Sequence, residues 1–269
     1  MTLSMTTHAA AAPRDGARAF WVLTAASAAL LALSGLGLAT DPRLIDGVPV
    51  WMKPAKFALS FTLLFATMAL VAERLSPAVR QGRALAALGI LMAVNYGAEM
   101  AYMIWRAARA EHSHFNLSTP FAETAYTLMG VSAVLLIAGV AWQGVMAWRD
   151  RAAELGPQTR AGILWGFGLT FALTFVVAGY LGGNGGHHVG TPVTGAALPL
   201  FGWSMEVGDL RPAHFASIHA MQALPLLGLW LDRRAVEAPR PMRLAAAGWT
   251  ALTFALFAQA LMGLPLVSA

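Results

Sequence analysis

The sequence predicts an all-α bundle of seven transmembrane helices, and three observations predict it. Hydrophobic residues make up 58% of the 269 residues and charged residues 12%, which is about half the charged share of a soluble domain. The apolar residues are gathered in seven runs, each about as long as a membrane-spanning helix requires. These runs lack the alternation of apolar and polar residues that a membrane β-barrel needs. Because backbone polar groups in lipid must be paired internally, each run is predicted to be a helix.

The seven predicted spans form one polytopic membrane domain, residues 19–269, after a predicted cytoplasmic tail, residues 1–18. The first run is longer than the apolar core of a signal peptide, so we interpret it as a retained span. Glycine and alanine recur within the runs, which in lipid allows helices to pack closely. The predicted spans are residues 19–39, 54–73, 84–105, 121–147, 161–181, 212–231 and 244–264.

The basic residues orient these spans. Twelve of the 18 Lys and Arg residues fall in the tail and in the loops after spans 2, 4 and 6, and six fall on the other side. Short cytoplasmic loops are enriched in Lys and Arg, so the N-terminus is predicted inside and the C-terminus outside. The basic residues form no long run. We therefore expect the lipid bilayer, and no nucleic acid, as the surroundings of this protein.

The connection between spans 5 and 6, residues 182–211, is long and begins with a glycine-rich stretch. A structureless connection of this length is uncommon in a compact domain. Its aromatic and aliphatic side chains, among them Phe201 and Trp203, argue against disorder. We expect it to fold as a Gly-rich cap over the outer end of the bundle, with a flexible tether as the alternative.

Ionisable side chains are predicted to gather in the outer halves of the spans. Glu99 lies in span 3, Glu123 at the start of span 4 and Lys56 at the start of span 2. Such groups are costly inside a bilayer and persist when they are paired, solvated or functional. The three are the candidate catalytic residues of an outward-facing cavity, with Lys56 paired to one carboxylate. The alternative is that Lys56 extends to the headgroups and that the helix dipole stabilises Glu123.

Span 6 carries the candidate cofactor-binding residues His214, His219 and Gln222. His219 and Gln222 are three residues apart and share a helix face. His214 and His219 are five residues apart, about 140° around a helix, so a chelate on this helix alone is disfavoured. Pro225 removes one backbone hydrogen bond and is expected to kink the span beside Gln222.

Four loop histidines complete the candidate metal ligands. His112 and His114 are predicted to lie on one side of an extended segment, and His187 and His188 lie in the cap. Together with His219 they could bind zinc, iron or copper, since neutral imidazole is a common ligand of these metals. No fixed-spacing metal motif is present, and a solvated pair is the alternative for His187 and His188. The absence of cysteine excludes thiolate ligands and covalent c-type haem attachment.

Four stretches resemble a family of bacterial seven-helix integral membrane proteins that is uncharacterised. They are residues 51–57 (WMKPAKF), 112–121 (HSHFNLSTPF), 208–215 (GDLRPAHF) and 219–222 (HAMQ). The resemblance extends over nearly all seven spans and implies a common bundle in a bacterial cytoplasmic (inner) membrane. It implies no activity. All four stretches lie at the predicted outer mouth, so the polar site is expected to face the periplasm.

Three functions are compatible with this pattern. The favoured one is binding of haem or a transition metal in a redox or metal-handling role, because the histidines are concentrated on one side. The second is transport of a small solute, coupled to protons through Glu99. The third is a non-catalytic subunit whose cap docks a membrane partner. Whether the protein is an enzyme is left open at this point.

Overall fold

The structure is a computed structural model that describes residues 15–268, so most of the predicted tail, with His8 and Arg14, lies outside the described residues. Within them the chain forms seven long helices, one short helix and two small antiparallel β-hairpins, β1–β2 and β3–β4. The elements are α1 (Gly16–Thr40), β1 (Leu44–Ile45), β2 (Val48–Pro49), α2 (Met52–Glu73), α3 (Pro77–Arg80), α4 (Arg83–Ala108), α5 (Pro120–Arg149), α6 (Pro157–Gly183), β3 (His188–Val189), β4 (Gly208–Asp209), α7 (Arg211–Arg233) and α8 (Arg240–Leu261).

Each of the seven predicted apolar runs overlaps one long helix, and the prediction of an all-α bundle is confirmed. Six of these helices, α1, α2, α4, α5, α6 and α8, are long and apolar enough to cross a membrane. The protein is therefore a multi-pass membrane protein in contact with the lipid bilayer. Helix α7 is as long as the others, with 23 residues. It is less apolar because His214, His219 and Gln222 interrupt its hydrophobic sequence.

Three connections meet at one end of the bundle, which we call the histidine face: residues 41–51, 109–119 and 184–210. Arg43 in the first connection donates to the Ala108 carbonyl at the end of α4 (2.9 Å). Lys56 Nζ of α2 donates to the Phe201 carbonyl in the third connection (2.8 Å). We call residues 184–210 the cap, since this contact ties them to the bundle.

The other three connections, residues 74–82, 150–156 and 234–239, meet at the opposite end, which we call the arginine face. Asp232 at the end of α7 accepts hydrogen bonds from the backbone N–H groups of Gln158 (2.9 Å) and Thr159 (2.8 Å) and from the Thr159 hydroxyl (2.6 Å). It thereby satisfies donors that the first turn of α6 leaves free. Asp150 does the same for the Ser76 N–H (2.7 Å).

Helices α6 and α7 form the closest helix pair of the bundle, because glycines let their backbones touch. A Cβ atom added at Gly162 would lie 2.5 Å from the Leu224 carbonyl oxygen, and one at Gly166 would lie 2.6 Å from that of Ala220. Helix pairs in lipid gain dispersion energy from such close approach. The pair fixes where α7 holds its polar side chains.

Candidate functional site

Lys53 lies within electrostatic range of both Glu99 and His114 near the histidine face, and we call these three side chains the outer polar site. Lys53 lies in the first turn of α2, Glu99 on the buried side of α4 and His114 in the connection before α5. The charge of Lys53 acts on both Glu99 and His114. No direct ion pair joins Lys53 to Glu99 within residues 15–268, so both charged groups keep free hydrogen-bonding capacity.

Glu99 is the most deeply placed carboxylate of this group. Its residue is 6% exposed, and its Oε2 is buried without a hydrogen-bond partner among the described residues. Helix α4 holds it on the same buried side as Tyr96 and Met103, which belong to the hydrophobic core. A buried carboxyl without a partner is most stable when neutral, because transferring charge out of water is costly.

His114 turns inward from its loop. Its ring packs 5.4 Å from the Phe57 ring and 6.2 Å from the Tyr126 ring, and its Nδ1 lies 3.1 Å from the Ser113 hydroxyl. Burial, with the charge of Lys53 acting in the same direction, lowers the pKa of His114 to about 3. The imidazole is therefore neutral at physiological pH.

His112 points away from this site. The segment bends at residues 113–115, so the two rings do not share one side as an extended segment would require. The exposed His112 Nε2 lies 3.1 Å from Asp46 Oδ2 in the β1–β2 hairpin.

A pocket of about 680 Å³ opens at the end of α4 beside the outer polar site. Arg106 and Glu111 line it, and they form an ion pair of 2.5 Å. Arg106 lies on the same buried side of α4 as Glu99, about two helical turns above it. Between them lies Tyr102, whose hydroxyl is buried and has no described partner. Glu99, Tyr102 and Arg106 thus follow one another along the outer part of α4, with Arg106 at the pocket.

No family model, no curated protein and no solved structure matches this chain. The geometry of the site therefore carries the functional argument without support from relatives. For the part of the chain that the structure describes, no three His, Asp or Glu side chains are grouped so as to hold a metal ion.

The other two candidate catalytic residues lie apart from Glu99. Lys56 is exposed, and its ammonium group donates to the Phe201 carbonyl of the cap rather than to a carboxylate. Glu123 is exposed in the first turn of α5. The structure therefore sets Lys53 beside Glu99, where the sequence interpretation expected Lys56.

His187 and His188 belong to the cap, and their rings are 4.2 Å apart. Burial, reinforced by the charge of Arg211, lowers the pKa of His187 to about 4. His188 Nε2 lies 3.8 Å from Asp209 Oδ2. Burial would raise the pKa of Asp209, but hydrogen bonds from Arg211 and its charge hold that pKa below the usual value. This cluster connects the cap to the start of α7.

The three candidate cofactor-binding residues of α7 occupy two sides of the helix. His214 Nδ1 is buried without a described partner. His219 and Gln222 share the other side, and His219 Nδ1 lies 3.2 Å from Gln222 Oε1. Gln222 Nε2 in turn donates to Thr67 Oγ1 of α2 (3.1 Å). The predicted shared face of His219 and Gln222 is present, and His214 is separate from it.

Sequence reasoning missed Lys53 as a member of the site. Helical spacing does place Glu99 and Arg106 on one face of α4, because they are seven residues apart. Lys53 and Lys56 were equivalent by pattern. They differ in the structure because the Lys56 ammonium group donates to the Phe201 carbonyl of the cap.

Proposed function

We propose that all seven long helices cross a bacterial cytoplasmic membrane, with the N-terminus inside and the histidine face toward the periplasm. The alternation of connections between the two ends of the bundle supports seven crossings, and the excess of arginine at the arginine face supports this orientation. The chain has no cysteine. Single replacements Val193→Cys in the cap and Arg151→Cys at the arginine face would therefore give labelling sites without background. An impermeant maleimide applied from the periplasm should label the first and not the second, and the reverse pattern would contradict the orientation.

We propose that the protein is a small-solute carrier that couples solute binding at the outer polar site to protonation of Glu99. The observation that carries the proposal is the buried, unpartnered Glu99 Oε2 close to a lysine that also lacks a direct partner. A site built for stability alone would pair these groups, because an unpaired buried polar group costs about 1–3 kcal/mol.

The chemistry of the site suits a solute that carries a cationic group, an anionic group or both. A cationic group could pair with ionised Glu99, and an anionic group could pair with Lys53. When the solute leaves, a proton on Glu99 removes the charge that would otherwise stay buried. His114, which is neutral, contributes a polar side chain near Lys53 without adding a second positive charge. Proton binding and solute binding are then alternatives at one carboxyl.

The test is proton movement driven by solutes in proteoliposomes that contain a trapped pH-sensitive dye. Amino acids, amines and small carboxylates are added one at a time, and dye response identifies the solute that moves protons. We expect Glu99→Gln to abolish this solute-dependent signal, since an amide cannot take up the proton. Glu123→Gln is the matched control, because Glu123 is exposed on a neighbouring helix, and it should keep the signal. An unchanged signal in Glu99→Gln would contradict the proposal.

Binding of haem or a transition metal is the second candidate, and the concentration of histidines at one end of the bundle favours it. His112 and His114 point apart, and His187 and His188 face Asp209 and Arg211 in the cap, so any such centre would need ligands from separate groups. Metal analysis and an absorption spectrum of protein purified without added metal test it. Near-stoichiometric iron, copper or zinc that is lost in His219→Ala would favour this candidate over the carrier.

A further inference from the structure

One side of α7 carries a stripe of side chains that the rest of the bundle leaves accessible. Phe215, His219, Gln222, Leu226 and Leu229 follow at three- and four-residue intervals, so they lie on one face. Phe215, Leu226 and Leu229 are exposed, and His219 and Gln222 are half-buried. The stripe thus has an aromatic upper part, a polar middle and an aliphatic lower part.

Aromatic rings continue this stripe from α7 into the cap. We call the four rings of this series the aromatic panel: Phe201, Trp203, Phe215 and His219. The Phe201 and Trp203 rings stack at 4.6 Å, and the Trp203 and Phe215 rings meet edge to face at 5.8 Å. The His219 ring follows 4.2 Å from the Phe215 ring. His219 lies eight residues into α7, about 12 Å along the helix from its first residue. The panel therefore runs from the headgroup level into the outer half of the hydrocarbon.

A chain of hydrogen bonds fixes the tautomer of His219. The Thr67 hydroxyl donates its proton to the Leu63 carbonyl (2.7 Å), so Thr67 Oγ1 can only accept from Gln222 Nε2. This orients the Gln222 amide, and its Oε1 then accepts from His219 Nδ1 (3.2 Å). In the neutral imidazole one nitrogen donates and the other accepts. His219 Nε2 is consequently an acceptor.

His219 Nε2 is both free and reachable. It has no hydrogen-bond partner among residues 15–268, and part of its surface remains accessible. Among the described residues, the bond from Gln222 to Thr67 is the one side-chain hydrogen bond that joins α7 to α2. An acceptor held at hydrocarbon depth without a partner loses the hydrogen bond that water would supply. The site is therefore complementary to a membrane-dissolved donor.

We propose that the aromatic panel binds the head ring of a membrane-dissolved hydroquinone, with a ring hydroxyl donating to His219 Nε2. A planar ring suits the panel, because aromatic rings pack favourably edge to face or in offset stacks. An isoprenoid tail would continue along Leu226 and Leu229, which extend the same stripe toward the arginine face. The phosphodiester group of a phospholipid and the carbonyls of a quinone offer only acceptors to Nε2, so neither of these groups supplies the missing donor.

The first test compares three ligands on the unmodified protein in lipid nanodiscs under anaerobic conditions. The probes are a tritiated benzohydroquinone with one isoprenyl tail, its di-O-methyl ether and the corresponding quinone. We expect the hydroquinone to bind at least tenfold more tightly than the other two, since tenfold corresponds to about 1.4 kcal/mol, the scale of one hydrogen bond to a buried acceptor. Equal affinity for the hydroquinone and its ether would overturn the proposal, because the ether differs by lacking the donated protons.

Paired variants locate the acceptor. His219→Gln can place an oxygen near the position of Nε2, whereas His219→Asn reaches only to the position of Nδ1. We expect His219→Gln to keep part of the preference for hydroquinone over ether and His219→Asn to lose it. A preference that persists undiminished in His219→Asn would overturn the assignment of Nε2. The ligand comparison on the unmodified protein decides the proposal even if either variant fails to fold.

Thr67→Val tests the positioning role of the hydrogen-bond chain. Without the Thr67 acceptor the Gln222 amide can turn over and present its N–H₂ group to His219 Nδ1, which makes Nε2 a donor. The preference for hydroquinone over quinone should then shrink or reverse, a change that mere loss of packing would not produce. Glu99→Gln should leave all three affinities unchanged, because the outer polar site shares no residue with the panel. Failure of the carrier proposal and failure of this one are thus separable.

Discussion

Two clusters of polar groups, one near each end of the bundle, differ in how completely they are hydrogen-bonded. At the arginine face, Asp232 accepts three hydrogen bonds from the start of α6, and Asp150 accepts from the Ser76 N–H. Near the histidine face, Glu99 Oε2 and His214 Nδ1 are buried without a described partner. Asp232 and Asp150 thus join segments of the chain at the arginine face, whereas Glu99 and His214 each keep a buried polar atom unpaired.

We infer from this difference that the first cluster serves stability and that the second keeps polar groups free for binding. Saturated carboxylates hold helices together because removing them leaves buried donors unpaired. Unpaired groups contribute little to stability and keep their hydrogen bonds available to a ligand. Substitutions at the two ends should accordingly have opposite consequences for folding and function.

The largest effect is expected from Asp232→Ala. The change leaves two backbone N–H groups and one hydroxyl at the start of α6 without their acceptor, and we expect it to lower the free energy of unfolding by about 2–4 kcal/mol. SDS titration of the detergent-solubilised protein measures this loss. Asp232→Asn keeps one acceptor oxygen and should cost less. A wild-type unfolding curve for Asp232→Ala would show that the arginine face does not stabilise the bundle in this way.

A smaller loss is expected from Gly166→Ala on the α6–α7 contact. The new methyl group would lie 2.6 Å from the Ala220 carbonyl oxygen, so the two backbones must separate. We expect a loss of about 1–3 kcal/mol, as for other overpacked sites. Gly168→Ala is the matched control, because no atom lies within 4 Å of its added methyl group. Equal unfolding curves for the two variants would argue against backbone contact between α6 and α7.

Glu99→Gln is expected to leave stability unchanged or to raise it by about 1 kcal/mol, because Glu99 Oε2 has no described hydrogen-bond partner that the substitution could remove. The same carboxylate-to-amide replacement at Asp232 should lower stability. Unfolding measured side by side in the same detergent gives the comparison directly. A loss in Glu99→Gln as large as that in Asp232→Asn would indicate that Glu99 has a structural partner.

The last expected effect is a pH dependence at the histidine face. In the fold, burial lowers the pKa of His187 from 6.5 to about 4 and that of His114 to about 3. Below pH 6.5 the unfolded chain binds protons that the folded state does not, so stability is complete above this pH and falls as the pH drops toward 4. We expect the melting temperature to decline over this range. His187→Gln and His114→Gln should flatten the decline, whereas the exposed His112→Gln should follow the wild type.

The fold was predictable because lipid imposes it on the sequence. Each long apolar run can satisfy its backbone in lipid only as a helix, and prolines and capping residues mark the ends. Thr119 shows this locally: its hydroxyl accepts from the Ala122 N–H (3.1 Å), with Pro120 at the first helical position. Helix α7 was found by its overall pattern although its polar residues make it the least apolar long helix.

The sequence predicts which residues of the site are buried, but it does not predict all of their contacts. The burial of Glu99 and the shared face of His219 and Gln222 follow from helical spacing. The role of Lys53 does not, because Lys53 and Lys56 have the same pattern, and the difference arises from Phe201, which is 145 residues from Lys56 along the chain. Likewise, the chain bends at residues 113–115, so His112 and His114 point apart, and this short stretch carries no strong sequence signal for that bend.

The glycine contacts between α6 and α7 also govern the cap. The cap leaves the end of α6 and returns at the start of α7, and at Gly162 and Gly166 no side chain separates these two helices. The two helices also meet nearer the cap, where the Thr174 hydroxyl donates to the Ser217 hydroxyl (3.0 Å), so both attachment points of the cap belong to one closely packed helix pair. If the protein is the carrier proposed above, a solute would then enter beside the α4–α5 connection rather than through movement of the cap.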